Sequence, residues 1–455
     1  MTTCRHIWKH NESKNSNMEI SELYDIFRQH PVVTTDTRQC VEGSIFFALK
    51  GASFNGNDFA LNALKQGCSY AVTDETRAEW TQEANADTAK RIIRVENVLL
   101  ALQQLARHHR RQLGTRIIGV TGTNGKTTTK ELIAAVLSEK YNVLYTQGNL
   151  NNHIGVPMTL LRLNASHDIA VIEMGANHPG EIKTLVEIVE PDCGIITNVG
   201  RAHLGGFGSF EGVVKTKGEL YDFLRKSHAT VFIDADNPHL NNIAHGLSLV
   251  RYTTQGADDA AIEGTVVECK PFLTFDWRRN GGETHRVETH LIGDYNIKNM
   301  LAAATIGAHM DVSDKDICHA LQNYIPSNNR SQLTVTQRNR LIVDAYNANP
   351  TSMAAALHNF ANMQVENKMM ILGSMAELGD VSKEEHRKVV DYIKASGITD
   401  VWLVGEGFAE TGHPFRQFNN IDEVKAEIAA NDIHGKYILI KGSNSQKLFL
   451  LPELL

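Results

Sequence analysis

The sequence predicts an α/β fold of three domains: a small N-terminal α/β domain, a central domain on a parallel sheet of the phosphate-loop type, and a Rossmann-like C-terminal domain. Two observations carry this. Short apolar runs ending in polar residues alternate with helical patterns along most of the chain, in three groups, as expected of parallel sheets covered by helices. A glycine-rich turn, "GVTGTNGKTTTKE" at residues 119–131, joins one such run to an amphipathic helix in the second group.

Residues 1–17 are polar, lack the apolar core of a signal peptide and are expected to be a disordered leader. Residues 18–112 form the first predicted domain. Its strands are "SIFFALKG", "YAVTDE" and "RIIRVEN", followed by a helical "VLLALQQLARHHRRQ". Residues 113–325 form the second, with "TRIIGVTG", "DIAVIEMGAN", "CGIITNVGRAH" and "TVFIDADNP" as strand-like runs. In the helix after the glycine turn, Leu132, Ile133, Val136 and Leu137 share one face. Residues 326–455 form the third, with "RLIVDAYNANP", "KMMILGSMAELG", "DVWLVGEGF" and "KYILIKGSN". Ligands of such sheets bind beyond the carboxyl ends of the strands. Glu173, Asn198, His203, Asp344 and Lys441 fall there.

Composition narrows the function. The 455 residues are 42% hydrophobic and 21% charged, with a formal net charge of -7 and no long basic run. That argues against nucleic acid as a partner. The six cysteines are scattered and form no Cys-x-x-Cys pair. A disulfide framework or zinc site is therefore not expected, and a reducing cytoplasm fits. No apolar stretch reaches about 18 residues, so membrane insertion is not expected. A monomer is the default expectation.

The glycine turn has the chemistry of a nucleotide loop. Gly122 and Gly125 permit a tight turn with inward N–H groups, and the helix from Lys126 presents its N-terminus to the same space. Together these favour a polyphosphate. Lys126 would reach the outer phosphates, and the Thr127 hydroxyl suits Mg²⁺. The common spacing requires a glycine where this chain has Val120. Glu173, ending a buried strand, suits a metal held between phosphates and protein. Taken singly, His203 reads as a structural or exposed histidine, and Lys217 as a surface lysine on a helix.

In motif order, "TGTNGKTTT", "NLNNHIGVPMTLL", "IEMGANHPGEI", "TNVGRAHL", "KTKGELY", "GDYNIKNMLAA" and "DAYNANPTSM" resemble the Mur ligase family of bacterial cell-wall synthesis. The resemblance covers nearly the whole chain after residue 18, and that family's loop lacks the same first glycine. "TTDTRQCVEGSIFFALKGASFNGNDF" resembles a uridine-diphosphate-binding N-terminal domain, and "YNANP" resembles the signature of a dipeptide-adding member. The resemblance implies an ATP-dependent amide ligase. It would join D-Ala-D-Ala to the carboxylate of UDP-N-acetylmuramoyl-tripeptide through an acyl phosphate, releasing ADP and phosphate.

Roles are implied position by position. Gly122, Thr123, Asn124, Gly125, Lys126, Thr127 and Thr128 would bind ATP, with Asn296 and Asn299 on the adenine side and Arg330 and Asp344 reaching it from the C-terminal domain. Two Mg²⁺ ions would be held by Thr127, Glu173, His203 and Lys217, the last as a carbamate formed with CO₂. Lys126, Lys217 and His203 would be catalytic. Thr37, Arg38, Lys50, Asn55 and Gly56 would line the uridine-diphosphate pocket. Asn151, Asn152, Tyr346 and Asn349 would face the peptide substrates, with turn and cap chemistry an open alternative for each.

Some positions depart from the family pattern: Asn444 stands where many relatives have Arg, Asp294 where a basic residue is common, and Ala345 where Ser or Thr is frequent. The alternative within the family is the ligase adding the third, diamino, amino acid. Its D-N-P-R motif is absent from the C-terminal region, and the "DNPH" at Asp236 lies in the central domain. A folate polyglutamate ligase is more remote, having no use for "FFALKG" or "YNANP". A nucleotide-binding regulatory module would not need Lys126, Thr127, Glu173, His203 and Lys217 together.

Overall fold

The computed structural model describes residues 18–78, 80, 86–326 and 332–455. The expected leader 1–17 and Arg330 lie outside the described residues. The chain divides into two compact units. One ends at Leu113 and includes Leu160–Arg162; the other comprises Gly114–Thr159 and Leu163–Leu455.

In the first unit, Val33–Thr34, Ile45–Phe47, Tyr70–Thr73 and Ile92–Arg94 form a parallel four-stranded sheet in sequential order. Parallel strands are covered on both faces and so read as unbroken apolar runs. Ile45, Phe46 and Phe47 are all buried. The Val98–Leu113 helix buries Val98, Ala101, Leu102, Leu105 and Ala106, a helical stripe.

The second unit carries two sheets. The nine-stranded sheet runs His285–Ile292, Phe272–Arg279, Ala260–Cys269, Ser248–Thr253, Thr230–Asp234, Cys193–Ile196, Arg116–Thr121, Ile169–Glu173, Val143–Tyr145. From Val143–Tyr145 to Ala260–Cys269 the neighbours are parallel. The last three strands form an antiparallel meander. Along Phe272–Arg279 alternate residues Leu273, Phe275 and Trp277 are buried, the period of a half-buried strand. This meander packs with the Lys126–Ser138 and Ile297–His309 helices into one core, which contains Leu132, Ile133, Val136 and Leu137.

The six-stranded sheet runs Gln332–Val335, Arg340–Asp344, Tyr437–Lys441, Lys368–Gly373, Val401–Val404, Arg416–Phe418. Only the first pairing is antiparallel. Register places the functional ends together. Arg116–Thr121 lies between the other two key strands, with Val120 opposite Glu173 and Thr121 opposite Ile196. Asp344 stands opposite Lys441. No helix of the described residues is long and apolar enough to cross a membrane.

Candidate active site

The loop after Thr121 owes its shape to two glycines and to the neighbouring strand end. Gly122 has φ +145°, and a Cβ there would lie 2.1 Å from Thr197 Oγ1. Gly125, at φ +75°, precedes the Lys126–Ser138 helix, and a Cβ there would lie 2.7 Å from Asn299 Oδ1. Side chains are excluded at both positions. Thr197 and Asn198 then hold the loop from outside. Thr197 Oγ1 donates to Asn124 O at 2.7 Å and Asn198 Nδ2 donates to the same oxygen at 3.0 Å. Asn124 N donates to Asn198 Oδ1 at 3.0 Å, and Gly200 N to Thr123 Oγ1 at 3.0 Å. Thr197 was not among the expected site residues. Its signal was its place at the end of the strand beside the loop.

Lys126 Nζ lies over the loop, donating to Gly122 O at 2.9 Å and Thr123 O at 3.0 Å. Thr128 follows on the first turn, half-buried. Asn299 closes the other side. Its Oδ1 accepts from Thr129 Oγ1 at 3.1 Å and its Nδ2 donates to Asn296 Oδ1 at 2.8 Å. The pair expected on the adenine side is therefore joined and adjacent to the loop.

Thr127 and Glu173 come together as expected. Thr127 Oγ1 donates to Glu173 Oε1 at 3.2 Å, and Asn151 Nδ2 donates to the same oxygen at 2.8 Å. Glu173 is 1% exposed, and its Oε2 accepts no hydrogen bond among the described residues. The buried Lys130 Nζ stands 3.7 Å from it. At that distance the two form an ion pair without a hydrogen bond, so the buried oxygen keeps lone pairs that a further cation can meet. Thr127 and Glu173 thus fit a divalent cation in their donor chemistry.

Lys217 is not a surface lysine. It is 2% exposed, within the buried stripe Val213, Thr216, Lys217, Leu220, Tyr221, Leu224 of the Phe210–Lys226 helix. Its Nζ donates to Ala176 O at 3.3 Å and sits 5.3 Å from the Phe207 ring centroid. Burial, and then the charge of Lys126, push its ammonium down to about 7. A neutral, nucleophilic amine is therefore well populated near neutral pH. His203 caps the short Leu204–Phe207 helix at φ +50°. Its Nδ1 contacts Glu377 Oε2, from the loop after the Lys368–Gly373 strand. Burial holds the imidazole below its ordinary value against the pull of the Glu377 carboxylate, and the charges of Lys126 and Lys217 add to the lowering. Among the described residues no three His, Cys, Asp or Glu side chains converge on a metal position.

The remaining expected residues divide. Asn349 caps the Pro350–Asn362 helix through Ser352 N at 2.9 Å, and its Nδ2 donates to Asn124 Oδ1 at 2.7 Å. Asn152 Oδ1 accepts from Gly155 N at 2.9 Å, so it also serves as a cap. Asp344 Oδ2 pairs with the buried Lys441 Nζ at 2.5 Å, and Tyr346 lies half-buried two residues on. In the first unit, Lys50 and Asn55 converge on Glu75 Oε1, at 3.1 and 2.9 Å. Gly56 is obligatory there, since a Cβ would meet Leu49 O at 2.3 Å. Thr37 and Arg38 form a separate single turn, with Arg38 paired to Asp36 at 2.7 Å and exposed.

This constellation, a glycine loop at a strand–helix junction with an acid at the end of the neighbouring strand, a buried lysine on a helix and a histidine capping a short helix, defines a phosphate-loop α/β protein. Comparison with known proteins makes the class specific. The Mur ligase middle domain model matches residues 120–307, the Mur ligase, glutamate ligase domain model 329–444, and the Mur ligase family, catalytic domain model 31–110. The chain belongs to the Mur ligase family. It is similar to the UDP-N-acetylmuramoyl-tripeptide--D-alanyl-D-alanine ligase of Bacillus subtilis (strain 168), 34% identical with 91% of each chain covered. Its fold is similar to MurF from Acinetobacter baumannii, with TM-score 0.81, 29% identity, and 92% of this chain and 93% of that chain covered. It also shares the fold of MurF ligase from Thermotoga maritima in complex with ADP, with TM-score 0.81, 24% identity, and 94% and 97% covered.

Proposed function

We propose that the protein is the ATP-dependent ligase that joins D-Ala-D-Ala to UDP-N-acetylmuramoyl-tripeptide, in the cytoplasm and as a monomer. The observation that carries the chemistry is the loop with Thr127 against Glu173 beneath it. The similarity to dipeptide-adding ligases over 91% of the chain supports the choice of substrates.

A carboxylate does not react with an amine until it acquires a leaving group. The tripeptide carboxylate attacks the γ-phosphorus of ATP, ADP leaves, and an acyl phosphate forms. The dipeptide amine attacks its carbonyl, phosphate leaves, and the amine gives up a proton. Gly122–Thr128 would cradle the phosphates with backbone N–H groups, and Lys126 would leave its loop carbonyls for the outer phosphates. Asn296 and Asn299 would meet the adenine side, with Asp344 and Arg330 reaching the nucleotide from the C-terminal domain. Preorganised charge of this kind supplies much of the acceleration in phosphoryl transfer.

Thr127, Glu173 and His203 would hold Mg²⁺, which when bound neutralises charge on the phosphates. Lys217 would react as its neutral amine with CO₂, forming an N–C bond and releasing a proton. The resulting carbamate would supply a further anionic ligand for the metal. Thr37, Arg38, Lys50, Asn55 and Gly56 would bind the uridine diphosphate, and Asn151, Asn152, Tyr346 and Asn349 would border the peptides. A cavity of about 890 Å³ lined by Leu204, Ser209, Phe210, Leu378 and Asp380 would offer room for the dipeptide. The domain division proposed is 18–112, 113–325 and 326–455. Phosphate release from ATP with UDP-N-acetylmuramoyl-tripeptide, with and without D-Ala-D-Ala, tests the reading.

A further inference from the structure

Glu377 belongs to none of the expected roles, yet it touches the candidate metal histidine. Its carboxylate contacts His203 Nδ1 across 174 residues of sequence. Both residues are non-glycine at left-handed φ, +50° for His203 and +62° for Glu377. Such backbone persists where its surroundings determine it, and here they do. Gly205 N donates to Glu377 O at 3.3 Å. On the other side the buried His386 Nε2 accepts from Met375 N at 2.9 Å, and Ser443 Oγ accepts from Ala376 N at 2.8 Å. The residues before Glu377 are thus pinned by the Ser382–Ser396 helix and by the segment after the Tyr437–Lys441 strand, and Glu377 is delivered onto the imidazole.

We propose that Glu377 is a positioning residue that fixes the tautomer of His203. A carboxylate can only accept, so the neutral ring must carry its proton on Nδ1 to make this contact. That leaves Nε2 with the lone pair that ligation requires, and a carboxylate partner raises the basicity of a ligating histidine. The value of this tautomer for catalysis rests on the metal reading above. The tautomer itself does not.

The test uses full-length, metal-free protein labelled with ¹⁵N at histidine, with long-range ¹H–¹⁵N spectra recorded in the neutral-imidazole range. His203 is assigned by the signals lost in His203→Gln. The wild type is expected to show protonated Nδ1 and unprotonated Nε2. Glu377→Gln keeps an acceptor oxygen but adds an amide donor, so it should hold a weaker preference for the same form. Glu377→Lys replaces the acceptor with a donor and should convert His203 to the Nε2–H form. Glu377→Ala should release the preference and reduce kcat about 10–100-fold, with Glu377→Gln retaining most of it. An Nε2–H wild type, or a tautomer unchanged in both the Lys and Ala variants, would overturn the proposal. Loss of the dipeptide-dependent reaction would count against the function and leave these spectra as they are, so the two failures are distinguishable.

Discussion

Replacing Lys217 with methionine should stabilise the protein while abolishing ligation. The ammonium is pushed down from 10.5 to about 7 by burial and then by Lys126. That gap of about 3.5 corresponds to roughly 5 kcal/mol at 1.36 kcal/mol per unit. Between these values the unfolded chain holds a proton that the folded one has released, so wild-type stability rises with pH across the window. Below about pH 7 both states are protonated and the full burial penalty is present. Methionine is similar in length and carries no charge. Its cost is the 3.3 Å bond to Ala176 O, about 1 kcal/mol. Lys217→Met should therefore be more stable by about 2–4 kcal/mol at pH 6.5. The advantage should shrink by up to about 1.4 kcal/mol per pH unit toward pH 10. Urea unfolding of both proteins in CO₂-free buffer with chelator measures this, because titrations common to both cancel in the difference. A variant no more stable at pH 6.5, or a difference that stays flat with pH, would refute the reasoning. Phosphate release by the variant should fall at least about a hundredfold.

Gly122→Ala should displace the loop. Its Cβ would lie 2.1 Å from Thr197 Oγ1, and overpacking and backbone strain together should cost roughly 2–5 kcal/mol. Combining it with Thr197→Ala should recover part of that cost in urea unfolding; strict additivity would exclude the steric explanation. Glu173→Gln should raise the Mg²⁺ concentration for half-maximal phosphate release by on the order of 10–100-fold, and an unchanged requirement would remove Glu173 from the metal site. Asn349→Ala removes a helix cap and the bond to Asn124. It should lower stability by about 1–2 kcal/mol in the same unfolding assay, and an unchanged stability would contradict both roles.

The parallel part of the fold was legible because buried parallel strands are continuous apolar runs, as in "RIIGV" and "IAVIE". The antiparallel meander at Ala260–Ile292 was missed because its apolar residues alternate with Thr, Asp, Arg and Glu and dilute one another in a run-based reading. The burial of Lys217 did have a signal: Val213, Leu220, Tyr221 and Leu224 place it on the apolar stripe of its helix. The loop with Thr127 after it, and Glu173, were legible because they follow or end adjacent apolar strands. The Glu377–His203 contact was not, since neither periodicity nor spacing relates two loops on different sheets. Left-handed φ at non-glycine residues likewise leaves no mark in composition.

Phosphate release from ATP and UDP-N-acetylmuramoyl-tripeptide tests the central claim most directly. Release is expected to require D-Ala-D-Ala and to yield the extended peptide in equal amount. Release driven instead by a free diamino acid with UDP-N-acetylmuramoyl-dipeptide, with no response to D-Ala-D-Ala, would contradict it.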